Sequence, residues 1–418
     1  MLSRGGADSV GGDRVLFVTH VALRGSSEGW CIDDQTAEGL IRWSENFSWV
    51  TYAGIEATDQ DIGKWSSVTW VKIKDLPCAD RLNIIALPRA YRVSEFAAAY
   101  SRTRKLLRDE IARSTYLCFT LGTLTGDWSV VGALEAIKQR RRYAVWFDRI
   151  EHEVVQSDLP SMPFKRRIKE SVSLPLMRRS HRYLTERSQL GLFQGKDCYD
   201  YFSRFTDKGF CVYDTHTKAS DFIDKDLLDA KIAQLRAGAP VRLCYVGRAA
   251  DMKGPLDWID ALARLRNAGV EFEATWYGDG PMLEAMSAMV AEKALLVQVA
   301  LPGFISGRAA VLDAMRRTHI FLFCHKTPES PRCLIEALVS GAPIVGYTSA
   351  YARDLVSKEG GGDFVDVDNV QELADRLIAL DADRARLADL VAAAARSGLK
   401  FDEQTVYQHR AELLRNNL

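Results

Sequence analysis

A short apolar run that stops at glycine or proline and hands over to a helix-length stretch recurs in one part of this chain, and that recurrence constrains the fold most. Val241–Val246 ends at Gly247, and the run 272–277 ends at Gly278-Asp279-Gly280-Pro281. The run 297–301 ends at Pro302-Gly303, and Ile320-Phe321-Leu322-Phe323-Cys324 is continuously apolar, as strands buried on both faces are. Strand-length runs separated by helix-length stretches pair in parallel through crossover helices. The amino-terminal half alternates in the same way, with strands expected at 14–20, 48–52, 82–87, 115–120, 143–147 and 190–193. Helices fall near 33–45, 94–113, 127–141 and 195–206. The fold class is therefore α/β with two doubly wound sheets, since 418 residues exceed what one core organises.

In doubly wound sheets, ligands bind at the carboxyl ends of the strands. The turn at Gly247 carries Arg248 and Lys253, and Gly254-Pro255 then opens the next helix. Two cations in that setting suit a diphosphate, or are simply solvated. After Cys324 the chain reads HKTPESPRCLIEAL, which predicts a helix with Ser330 at the N-cap and Pro331 at its first position. The amides of Arg332, Cys333 and Leu334 would then face an anion. Glu336 lies further in and leans back toward the helix start, within reach of a pair of sugar hydroxyls, unless it only faces solvent.

Together, the elements from Val241 to about Leu380 resemble the carboxyl-terminal domain of the retaining glycosyltransferases called group 1 or family 4. The matching residues are Gly247-Arg248 with Lys253-Gly254, Gly278-Asp279-Gly280-Pro281, Gly303, Glu336-Ala337-Leu338 and Gly341-Ala342-Pro343-Ile344-Val345. The resemblance implies a GT-B fold, in which two Rossmann-like domains face a cleft. It also implies transfer of a hexose from a nucleoside-diphosphate sugar to an acceptor hydroxyl with retention, in polysaccharide or glycolipid assembly. Arg248 and Lys253 would hold the diphosphate, the backbone near Gly303 the nucleobase and Glu336 the ribose. That family places a second acid eight positions before the ribose glutamate. Here that position is Pro328, and Glu329 is one residue nearer. For Glu329 to touch the donor sugar, the loop must shift by one residue.

In the amino-terminal half, the resemblance implies that the loop with Gly25, Ser26, Ser27, Glu28 and Gly29 approaches the donor phosphates; a surface loop reads equally well. Asp148, Arg149 and His152 follow the strand at 143–147, where polar groups point toward a cleft or make a structural turn. Asp148 joins Arg248, Lys253 and Glu329 as a catalytic candidate, and His20 ends the first strand. The expected division is a loose tail at 1–13, a first domain at 14–215, a hinge at 216–240, a donor domain at 241–398 and a terminal helix at 399–418 crossing back.

Fifty-five basic and 55 acidic residues leave no net charge, which excludes a general nucleic-acid binder. Eight scattered cysteines without a CxxC pair suit reduced thiols in a cytoplasm, and no cofactor or metal is expected beyond the sugar nucleotide as co-substrate. No apolar run reaches membrane-spanning length. Residues 165–187 hold eight Lys and Arg against two Glu, interleaved with Ile168, Val172, Leu174, Leu176, Met177, Tyr183 and Leu184. This suits peripheral contact with the anionic inner face of a membrane, or a solvated cationic face, and Pro175 is expected to break any single long helix there. The expected partners are thus a nucleotide-sugar donor, a sugar or lipid-linked sugar acceptor and an anionic membrane. The alternative is a catalytically silent nucleotide-sugar-binding protein. A nicotinamide oxidoreductase is disfavoured because no GxGxxG follows the first strand of either half.

Overall fold

The computed structural model describes residues 12–58, 68–327 and 329–418. Most of the expected tail, and Pro328, lie outside them. The chain divides into two compact units. One runs to His216 and includes Val406–Leu418; the other is Thr217–Thr405.

The first unit holds β1 (Arg14–Ser26), β2 (Gly29–Asp33), β3 (Trp49–Glu56), β4 (Trp70–Lys72), β5 (Leu82–Leu87), β6 (Tyr116–Thr120), β7 (Ala144–Phe147), β8 (Leu190–Gln194) and β9 (Gly209–Val212). Seven of these form a parallel sheet in the order β5-β3-β1-β6-β7-β8-β9. Alternation along each strand sorts its side chains to opposite faces. Leu16, Val18, Phe119 and Val145 join one core, whereas Val15, Phe17, Cys118 and Ala144 join the other. Burial on both faces explains why these segments read as unbroken apolar runs.

β1 does not stop at residue 20. Its register shifts between Val18 and Ala22, and it continues to Ser26, where it turns back and pairs antiparallel with β2. The expected phosphate loop is therefore part of a hairpin, with Gly25 opposite Trp30.

A second correction concerns Pro175, which sits inside one continuous helix, Phe164–Arg187. Both Pro175 and Ser171, whose carbonyl loses its donor, are on the exposed side, where water can replace the missing bond.

The second unit has a six-stranded parallel sheet of β10 (Val241–Val246), β11 (Phe272–Tyr277), β12 (Val299–Gly303), β13 (Ile320–Phe323), β14 (Ile344–Tyr347) and β15 (Gly362–Val365). Its order is β12-β11-β10-β13-β14-β15, which reverses direction between β10 and β13. β12 lies two residues beyond the expected run: Val297 is 91% exposed, and the strand passes through Pro302, which an edge strand tolerates.

The expected hinge is also corrected. Residues 217–240 belong to the second unit, where the helix Lys225–Arg236 buries Leu235 and Lys231. Lys231 Nζ donates to the carbonyls of Ser340 (2.9 Å) and Gly341 (3.0 Å), just past the end of the helix Arg332–Val339.

Candidate functional site

At the β10/β13 switch point, three turns are laced through their backbones. Gly247 N donates to Tyr277 O (2.9 Å), Ala249 N to Asp279 O (2.9 Å) and Gly278 N to Gly303 O (2.8 Å). A Cβ on Gly278 would lie 2.0 Å from Gly247 O, and one on Gly254 2.1 Å from Cys324 O. Gly254 also holds φ at +62°, in the left-handed region, as it caps the helix Pro255–Asn267. These glycines thus serve close packing between turns before any ligand is considered.

This packing sets Lys253, at the end of a short 3-10 turn after β10, against the loop that follows β13. Lys253 Nζ bonds Glu329 Oε2, and both side chains are mostly buried. The same oxygen lies 3.3 Å from His325 Nδ1, too poorly aligned for a good hydrogen bond. His325 Nε2 is 2.6 Å from the Tyr245 hydroxyl. Burial pushes the Tyr245 phenol up, so it stays protonated and donates to Nε2, which leaves the proton on Nδ1 facing Glu329. Burial holds His325 down at about 4, against the pull of Glu329. Burial also opposes ionisation of Glu329, but His325 and Lys253 outweigh it and hold the carboxyl at about 2. Two candidates that are 76 positions apart in sequence, Lys253 and Glu329, thus form one charged pair.

Arg248 is exposed on the same turn, and its guanidinium has no ion pair among the described residues. Glu336 is half-buried and meets Arg308 Nη1 at 3.2 Å; Arg308 in turn bonds Asp221 at 3.0 Å. Burial raises the Glu336 carboxyl above its ordinary range, with Arg308 pulling the other way.

The helix carrying Glu336 starts at Arg332, with Pro331 as an extended N-cap and no side-chain cap. Ser330 is therefore outside it, and the helix begins one residue later than expected, at Arg332. The Leu334 amide, expected to be open, donates to Pro331 O at 3.2 Å. The residues missed by sequence reasoning are Tyr245, His325, Arg308 and Asp221; His325, directly after the fourth apolar run, carried the one readable signal.

In the first unit, His20 sits where the register of β1 breaks. Its Nε2 lies 3.4 Å from Asp127 Oδ2, a wholly buried carboxylate that also accepts from the amides of Gly122, Ser129 and Val130. Burial disfavours the imidazolium, yet Asp127 outweighs it and raises the His20 pKa. His152, by contrast, is a core histidine: it is 1% exposed, 4.9 Å from the Tyr201 ring, and held near 4 by burial. Asp148 is exposed at the end of β7 and accepts from Trp146 Nε1 at 2.7 Å. Asp148 and Gly25 belong to the first unit, and the Lys253–Glu329 cluster belongs to the second.

A parallel sheet with this strand order, with cations and acids gathered at its reversal point, is a doubly wound α/β unit of the kind whose ligands bind at the switch point. The architecture matches GT-B glycosyltransferase structures. Against Anabaena HepE in complex with UDP, the TM-score is 0.64 at 17% identity, covering 96% of this chain and 100% of that one. Against WaaG, a glycosyltransferase of lipopolysaccharide biosynthesis, it is 0.62 at 12% identity, covering 96% and 99%.

Residues 229–397 match the family model described as "Glycosyl transferases group 1". The chain is 30% identical over 150 residues to the 2-deoxystreptamine glucosyltransferase of Streptomyces kanamyceticus, covering 33% of this chain and 38% of that one. It is 28% identical over 186 residues to a putative colanic acid biosynthesis glycosyltransferase, WcaL, of Escherichia coli (strain K12), covering 42% and 45%. The chain thus spans less than half the length of the curated relatives it matches.

Proposed function

We propose that the protein is a glycosyltransferase that moves a hexose from a nucleoside-diphosphate sugar to an acceptor hydroxyl, with retention, in polysaccharide or glycolipid assembly. The observation that carries this reading is the Lys253–Glu329 pair beside exposed Arg248 at the switch point of a sheet that matches the group 1 family. Structures of HepE with UDP and with UDP-glucose support a nucleotide-sugar donor.

In this reading the donor diphosphate takes over Lys253, and Glu329, released from its partner, turns to the hydroxyls of the sugar. Glu336 accepts from the ribose, and Arg308 orients it. The bond from the anomeric carbon to the β-phosphate oxygen breaks, and a bond to the acceptor oxygen forms on the same face. The acceptor proton passes to the departing phosphate. Arg248 and Lys253 neutralise the charge that develops there, the task a metal ion performs elsewhere. The acceptor is a sugar or lipid-linked sugar, and the place of action is the cytoplasmic face of a membrane.

The test is a thermal-shift screen of sugar nucleotides, followed by product detection and anomeric analysis with the stabilising donor. A retained anomer supports the reading. Inversion overturns the stereochemistry, and stabilisation without product turns the protein into a silent sugar-nucleotide binder.

A further inference from the structure

The helix Phe164–Arg187 buries only one side. Leu174, Met177, His181 and Leu184 face the unit to which the helix belongs. At about 100° per residue, the sector opposite them contains Phe164, Ile168, Val172 and Leu176. These four are 72%, 51%, 65% and 55% exposed, so a continuous apolar stripe of large side chains lies open on the outer face. Single exposed apolar residues are ordinary, but four in register along one helix face are not.

The charges around the stripe are one-sided. Lys165, Lys169 and Arg179 are exposed and have no ion pair among the described residues, whereas Arg166 lies round the helix on the side of Met177. Arg167 donates only to the carbonyls of Pro160 and Met162, and Arg178 only to the neutral Gln156 amide. Of the cations on this helix, Arg182 is neutralised, by Glu186 at 2.7 Å. In a chain with no net charge, this is a local concentration of positive charge wrapped around apolar side chains.

We infer that the outer face of Phe164–Arg187 docks in the plane of an anionic lipid bilayer, with Phe164, Ile168, Val172 and Leu176 entering the interface and Lys165, Lys169 and Arg179 meeting lipid phosphates. The chemistry that commits the surface to lipid is the combination: an acidic protein would satisfy the cations but would leave no reason for a stripe whose residues are large, aliphatic or aromatic, and aligned. Pro175 also lies on this outer side, where it costs the helix no packing. The inference goes beyond the transfer reaction and does not need it, because binding is measured without any donor.

The experiment uses the full chain with phosphatidylcholine vesicles, with and without phosphatidylglycerol. Co-sedimentation should require the anionic lipid and weaken with salt. Replacing Lys165, Lys169 and Arg179 by glutamine should lower binding by roughly tenfold or more. Replacing the four stripe residues by serine should lower it comparably at unchanged charge; because these positions are exposed, melting temperature and circular dichroism should stay as in the parent. In an Ile168→Trp variant, tryptophan emission should shift to the blue on adding anionic vesicles.

Binding that ignores the serine variant, or an emission that does not move, would overturn insertion and leave a merely cationic face. Absence of sedimentation at low salt, or capture by an acidic polypeptide but not by anionic vesicles, would overturn the lipid assignment. None of these outcomes bears on whether the protein transfers sugar.

Discussion

Lys253 carries two duties, and Arg248 one. Both are expected to stabilise the leaving diphosphate, so Lys253→Ala and Arg248→Ala should each lower transfer by roughly 100-fold. Their effects on stability should differ. Arg248 is exposed and has no ion pair among the described residues, so its loss should leave the melting temperature unchanged, whereas Lys253→Ala strands the half-buried Glu329 carboxylate and should cost about 1–3 kcal/mol. Denaturant titration of the two variants separates the roles. The same pair has an acid signature. Because Glu329 ionises at about 2 in the folded protein against 4.5 ordinarily, its contribution is fully present above 4.5 and is lost as pH falls toward 2. In Glu329→Gln, stability measured over that window should show a shallower acid loss than in the parent. The sequence revealed Arg248, Lys253 and Glu336, because glycine and proline mark the turns that hold them. It hid Arg308, Tyr245 and His325, whose roles come from partners brought together only by the sheet.

At the scale of elements, the helix Arg332–Val339 is controlled from both ends. Its amino end opens beside the Glu329 loop, and its carboxyl end is met by Lys231, which no carboxylate among the described residues neutralises. Burial lowers the Lys231 amine to about 7, and a neutral amine still has protons for both carbonyls. Since the folded value lies below the ordinary 10.5, the unfolded chain binds the extra proton between these limits, and stability rises with pH there. The slope is at most about 1.4 kcal/mol per pH unit, and Lys231→Met should lack it when unfolding is followed from pH 7 to 9. Strands were legible from sequence to within a few residues, since burial on both faces writes an apolar run. The hairpin at 25–30 was not, because its glycines and serines read as a loop until the pairing of β1 with β2 is known. The long helix through Pro175 was hidden for a related reason: whether a proline breaks a helix depends on which side it faces.

For the molecule as a whole, a nucleotide should act on one unit. With UDP, the ligand in the HepE structure, amide exchange should slow at 247–254 and 325–336. Protection spread evenly along the chain, or confined to the first unit, would move the donor site elsewhere. The second unit was recognisable because its turns carry fixed residue types, while the first follows the same sheet plan with little shared chemistry and was read only as alternation. One further consequence lies in the terminal helix Glu403–Asn417, which leaves the second unit after Thr405. Tyr407, Ala411 and Leu414 belong to the core of the first unit, and Arg410 lies over Trp146 at 4.8 Å. During synthesis, β9 therefore leaves the ribosome long before the residues that complete the layer around it. Until they arrive, the earlier-made half has an uncovered apolar face while the later half folds. The nascent protein should accordingly be a client of holding chaperones through that interval, and the first half should be released once residues 406–418 have emerged to pack on it.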